Sequence, residues 1–118
     1  MDSILDSIKK LLGIEVTYDH FDDEIIMNIN SALMKLNQLG VGVEDFKVKD
    51  SDDEWSDFLD SRTDLESATI YVYYQTRMGF DPPNTSFILD AMERRSEELE
   101  WRLNTQIETT EVEEEGEV

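Results

Sequence analysis

The sequence contains no cysteine, one histidine and only two prolines, which are adjacent. Without cysteine, disulfides, cysteine-based zinc sites and thiol catalysis are excluded. A single histidine, His20, is poor material for a transition-metal site or a nucleophile–base pair, and its place beside a helix start reads as a surface residue. No run approaches the roughly 18 to 20 apolar residues that cross a bilayer. The first residues, MDSILDSIKKLLGI, do not make a secretory leader. Asp2 and Asp6 stand where basic residues belong, and Lys9 and Lys10 interrupt the apolar run. A soluble protein made in the cytoplasm is expected.

Bases are also scarce. The 118 residues hold 29 acids against 10 bases, a net charge of −19. Such a chain has few cations to replace the counterions of nucleic acid, so binding through phosphates is excluded. The acidity instead suits solubility, a surface that DNA passes without sticking, or docking to a basic partner. Hydrophobic residues make up 39%, which is enough for one compact core.

Helical spacing dominates the chain. Ile4, Leu5, Ile8, Leu11 and Leu12 mark a short amphipathic helix over 3–12 that packs on the core and stops at Gly13. Residues 22–39 form the clearest helix, with Asp22 as N-cap, Phe21 stapled to Ile26, and Ile25, Ile26, Ile29, Leu33 and Leu36 on one inward face. Gly40 supplies its left-handed stop. The glycine-bearing segment 40–53 reads as a loop. A small helix over 53–60 points Trp55, Phe58 and Leu59 inward.

Residues 63–78 leave little polar face, as expected of a central helix, with Gly79 as its cap. The run TIYVYY also suits a strand, but the flanks favour helix, and Tyr71, Tyr73 and Tyr74 need partners for their hydroxyls. Pro82 and Pro83 then force an extended corner before the last helix. Asn84, Thr85 or Ser86 caps that helix, and Phe80 and Phe87 bury the corner. It runs over 85–107 on a seam of Ile88, Met92, Leu99, Leu103 and Ile107, with Glu98 and Arg102 spaced to pair. Trp101 lies off the seam, as a rim of the core or an exposed anchor. Residues 108–118 hold six glutamates and no base, an acidic tail expected to be disordered when alone.

The fold expected is all-α: a small bundle of four to five helices over 1–107, followed by the tail at 108–118. No chemistry emerges. GVG at 40–42 is too short for a phosphate loop. Asp50, Asp52 and Glu54 begin like a calcium loop, but Trp55 occupies its glycine position and Ser61 its final glutamate, so these acids read as helix caps. No catalytic, cofactor or metal residue is assigned, and no enzyme is expected.

The order of segments carries a resemblance. ILDSIKKLLGI, FDDEIIMNINSALMKLNQLGVG, DEWSDFL, YVYYQTRMGFDPP and SFILDAMERRSEELEWRLN together resemble the small head–tail connector (adaptor, or head-completion) proteins of tailed bacteriophages. FDPP followed by a helix ending in ELEWRL is the most specific part. The resemblance implies a structural virion protein without catalysis or cofactor. It implies a ring of about twelve copies under the portal, closed by a heterologous interface, which extends the DNA channel and docks the next connector or tail protein. It also implies that the end of the last helix, around Trp101, Arg102, Leu103 and Ile107, reaches the portal protein. Trp101 and Tyr73 are further candidates for subunit contacts. The competing reading is an acidic DNA mimic that inhibits a basic host protein.

Overall fold

The computed structural model describes residues 3–59 and 63–116, with the side chains of the last helix described as far as Glu108. Among these residues the regular structure is helical: α1 (Ile4–Leu12), α2 (Asp22–Gln38), α3 (Trp55–Phe58), α4 (Leu65–Phe80) and α5 (Ser86–Gly116). One isolated antiparallel bridge joins Ser3 to Glu54, beside a bond from the Ile4 amide to the Asp53 carbonyl (3.0 Å). TIYVYY therefore lies on a helix and not on a strand. Its flanking turns complete the helix.

Helix α1 begins at Ser3, whose hydroxyl accepts from the Asp6 amide (3.2 Å), and ends at Gly13 with φ 81°. Ile4, Leu5 and Ile8 are buried on one side of it, which places this amphipathic helix on the protein's own core. Lys9, one residue on, is also completely buried. Its ammonium donates to the carbonyls of Val16 (2.9 Å) and Tyr18 (2.7 Å) and pairs with Asp22 Oδ1 (2.7 Å). A lysine that reads as an interruption of the apolar run is thus the tie between α1, the 13–21 loop and the start of α2.

The expected N-cap of α2 shifts by one residue. Phe21 occupies the cap without a side-chain bond, and Asp22 lies inside the first turn, where its carboxylate serves Lys9. The ring of Phe21 meets Phe80 at a separation of 5.5 Å. The far end of α2 closes as expected. Gly40 takes φ 87°, and the Val41 amide reaches back to the Leu36 carbonyl (2.9 Å). The loop that follows is held by Asn30, which accepts from the Val48 amide (2.7 Å) and donates to its carbonyl (3.0 Å).

Helix α4 is the central one, in contact with α1, α2 and α5. It runs antiparallel to α2: the Lys35 ammonium bonds Gln75 Oε1 (2.8 Å) near one end, and Gly79 meets Asn28 near the other. Gly79 does not cap the helix. It continues through to Phe80, and the missing side chain leaves room for Asn28. Helix α5 folds back antiparallel, with the Tyr71 hydroxyl donating to Glu100 Oε2 (2.8 Å) and the Asp64 amide to Gln106 Oε1 (3.3 Å).

The proline corner, 81–85, sets that reversal. Thr85 caps α5, accepting through its hydroxyl from the Ile88 amide (3.4 Å). Phe80 is half-buried, but Phe87 is 77% exposed, and Ile88 is exposed as well. The seam of α5 therefore begins at Met92 and not at Ile88, because the first turn projects past the helices behind it. Glu98 and Arg102 do not pair. Lys9–Asp22 is the ion pair found among the described residues, and an exposed pair gains too little to fix two long side chains. Of Asp50, Asp52 and Glu54, only Glu54 stands at the cap of α3, while Asp50 accepts from the Asp52 amide (2.9 Å) within the turn before it. Asp53 accepts from the Lys49 amide (2.7 Å), and Asp57 accepts from the Glu54 amide (3.0 Å) at the start of α3. The backbone of α5 carries on past Ile107 to Gly116. No proline or glycine interrupts residues 108–115.

Three consequences for stability follow from this packing. Asp22→Ala strands a buried ammonium and is expected to cost about 3 kcal/mol. Lys9→Met leaves Asp22 Oδ1 buried and unpaired, but on a side chain that is 25% exposed, and should cost less, about 1 to 2 kcal/mol; urea unfolding of the two variants measures the asymmetry. Gly42 has φ 81°, and a methyl there would strike the buried ring of Phe58. Gly42→Ala is expected to cost about 2 kcal/mol or more by the same assay.

Burial, the bond to Glu100 and the Glu100 charge raise the Tyr71 phenol well above the ordinary tyrosine range. In the unfolded chain it ionises near pH 10, while the folded form keeps its proton, so this stabilisation is complete below about pH 10 and is lost above it. The urea midpoint should fall more between about pH 8 and about pH 11 in the native chain than in Tyr71→Phe.

Candidate functional site

The surface, not a cleft, carries the features that structural roles need. Successive residues of a helix turn by about 100°, so Trp101, Arg102, Leu103 and Ile107 cannot share one face. Trp101 is 72% exposed and Arg102 is exposed, whereas Leu103 and Ile107 are buried in the subunit's own core. Ile107 packs toward Gly40, and Asn104 beside it donates to the Leu39 carbonyl (3.2 Å). The four residues expected to dock together thus divide. Leu103 and Ile107 hold α5 to the core, Ile107 against the turn that follows α2, and that anchorage leaves Trp101 and Arg102 outside. Tyr73 is half-buried against the core, and its hydroxyl accepts from Arg77 (3.2 Å), which makes it a poor surface anchor.

Two further surfaces are absent from the sequence reading. On the outer side of α2, Met27 (67% exposed) and Met34 (58% exposed) flank a groove of about 490 Å³. Ile26 and Phe46 form its apolar walls, with Asp23 and Asp45 among its acids. At the start of α5, Phe87 and Ile88 make an exposed apolar tip. The spacing of Met27 and Met34, seven residues apart and off the inward stripe, was the available signal for the first. The second was concealed because Ile88 fits the inward seam by spacing alone.

Between α4 and α5 lies a smaller cavity, about 250 Å³, with Glu66, Arg95, Glu98 and Arg102 among its lining. Its charges are mixed and face solvent. Among the described residues no group of three or more histidines, cysteines or acids is gathered to hold a metal. No described helix is long and apolar enough to cross a membrane. His20 is exposed, with its ring edge-on to Phe21 at 4.8 Å. The Tyr71 phenol is spent on bridging α4 and α5.

An exposed tryptophan and a methionine-lined groove are features that protein–protein contact surfaces carry. No curated protein and no solved structure matches the chain. The family model described as phage connector protein matches residues 4–110, nearly the whole chain, so the protein belongs to the phage connector family, whose members join head and tail.

Proposed function

We propose that the protein, as a phage connector a structural component of the virion, assembles as a ring beneath the portal ring, extends the DNA channel, and presents a docking surface to the next connector or tail protein. The observation that carries this reading is the family match over residues 4–110, which includes every helix that builds the core. The charge supports it. A wall of −19 subunits repels DNA phosphates, so the genome slides without adhering.

Docking to the portal is assigned to the far part of α5. Leu103 and Ile107 fix the helix to the subunit, while Trp101 and Arg102 face outward. Beyond Ile107 the helix backbone continues to Gly116. An exposed tryptophan with a neighbouring arginine has the composition of an interface anchor. The glutamates beyond 107 give the segment a charge that a basic portal surface would attract. No observation singles out the alternative of a DNA mimic, which needs a basic host protein as its only partner.

The test is co-sedimentation with portal rings of the same virus. A chain ended after Glu108 keeps both core anchors. It and Trp101→Ala are each expected to bind portal rings at least about ten-fold more weakly, with helical circular dichroism unchanged outside the deleted residues. Portal binding equal to that of the native chain in both variants would contradict this assignment. A native chain that ignores portal rings but captures a basic host DNA-binding protein, and releases it in salt, would favour the mimic.

A further inference from the structure

The ring reading leaves open how subunits of net charge −19 hold one another. Two exposed apolar surfaces in the same chain answer the question. One is the groove beside Met27 and Met34 on α2; the other is the tip formed by Phe87 and Ile88 on α5. Neither is covered by the subunit's own helices, and each is larger than the scattered apolar side chain that surfaces normally carry.

We propose that each subunit lays the first two turns of its α5 into the methionine groove of the neighbouring subunit. Phe87 and Ile88 enter the groove, and Arg94 meets the acids Asp23 and Asp45 at its edge. The proposal rests on the ring reading and names the surfaces that close the ring.

Four observations support a second copy of this chain as the occupant. The first is register. Met27 and Met34 are two helical turns apart, about 10 Å, and so are Phe87 and Arg94. A helix laid along α2 meets its side chains at that interval. The second is charge. Arg94 forms no ion pair among the described residues, on a chain that has only 10 bases. The groove's lining holds Asp23, Asp45 and Lys47, and the exposed Asp90 lies between Phe87 and Arg94 on one face of α5, so each surface carries charges of both signs that can pair with the other. An arginine held out on so acidic a subunit is placed to offset the repulsion between copies.

The third observation is symmetry. Groove and tip belong to different elements of one chain, so the contact is head-to-tail, the kind that generates a ring when the rotation closes. The fourth is adaptability. Methionine side chains are flexible and polarisable and receive an aromatic ring with little strain. Trp101 and Arg102 lie further along α5 and remain free for the portal.

The chain has no cysteine, so a disulfide can be introduced at one place without background. Ser31 lies in the groove between the two methionines. Rings of the double variant Ser31→Cys/Phe87→Cys, assembled on portal rings and oxidised, are expected to give a ladder of linked subunits on a denaturing gel. A mixture of the two single variants is expected to stop at linked pairs. Rings visible by electron microscopy whose subunits all run singly would overturn this interface and leave the connector reading standing. Bare portals with the unmodified chain would overturn both.

If Phe87→Cys loses its helical circular dichroism, Met27→Glu/Met34→Glu decides instead, since both positions face solvent in the free subunit. A folded variant that no longer forms rings supports the proposal, and one that forms them normally overturns it.

Discussion

One buried ammonium organises the first half of this subunit. Lys9 lies fully inside, where its ammonium donates to two loop carbonyls and is paired in charge with the Asp22 carboxylate. An unpaired charge there would be costly, so the 13–21 loop and the start of α2 are held wherever the lysine can be satisfied. That fixes α1 against α2. Phe21, next in sequence to Asp22, then meets Phe80 at the end of α4. The lysine and the proline corner are thereby connected through one aromatic contact. Moving the loop would expose the charge and loosen the corner from which α5 departs.

The second constraint is the excess of acid. At −19 the subunits repel one another and repel DNA. The repulsion of DNA suits a channel wall. The repulsion between subunits must be offset by contacts that are apolar or locally basic. The bases are distributed accordingly. Lys9 is used inside, Lys35 bonds Gln75 between α2 and α4, and Arg77 braces Tyr73. Arg94 and Arg102 stand outward on α5, close in sequence to the exposed Phe87 and Trp101. Helix α5 is therefore both a wall of the subunit's core and its main outward surface. Met92, Leu103 and Ile107 perform the first task, and Phe87, Ile88, Arg94, Trp101 and Arg102 lie on the second.

Most of the fold was legible in the sequence because it follows from spacing. The apolar stripes of α1 and α2, the stops at Gly13 and Gly40, the caps around 50–57 and the break at Pro82 and Pro83 each have a local cause. What was not legible depends on partners distant in sequence. Lys9 falls on the same side of α1 as Leu5, four residues earlier, but only the loop carbonyls make its burial possible. Gly79 resembles a cap until α2 is known to pass beside it. Ile88 matches the seam of α5, yet no helix reaches far enough to cover it. Leu103 and Ile107 were grouped with Trp101 by nearness in sequence, whereas the helix turns them to opposite sides. The methionine groove has a local signal only in the spacing of Met27 and Met34 off the inward stripe; its other wall, Phe46, comes from the loop after α2 and is not given by that spacing.

The central claim is that this chain is a ring component at the junction of head and tail. Cryo-electron microscopy of the neck of intact virions, with masses of the neck proteins identified, tests it most directly. The account predicts a ring between portal and tail into which this subunit fits, with α5 of each copy running from its neighbour toward the portal. A neck in which the density beneath the portal belongs to other chains, and from which this protein is absent, would contradict it.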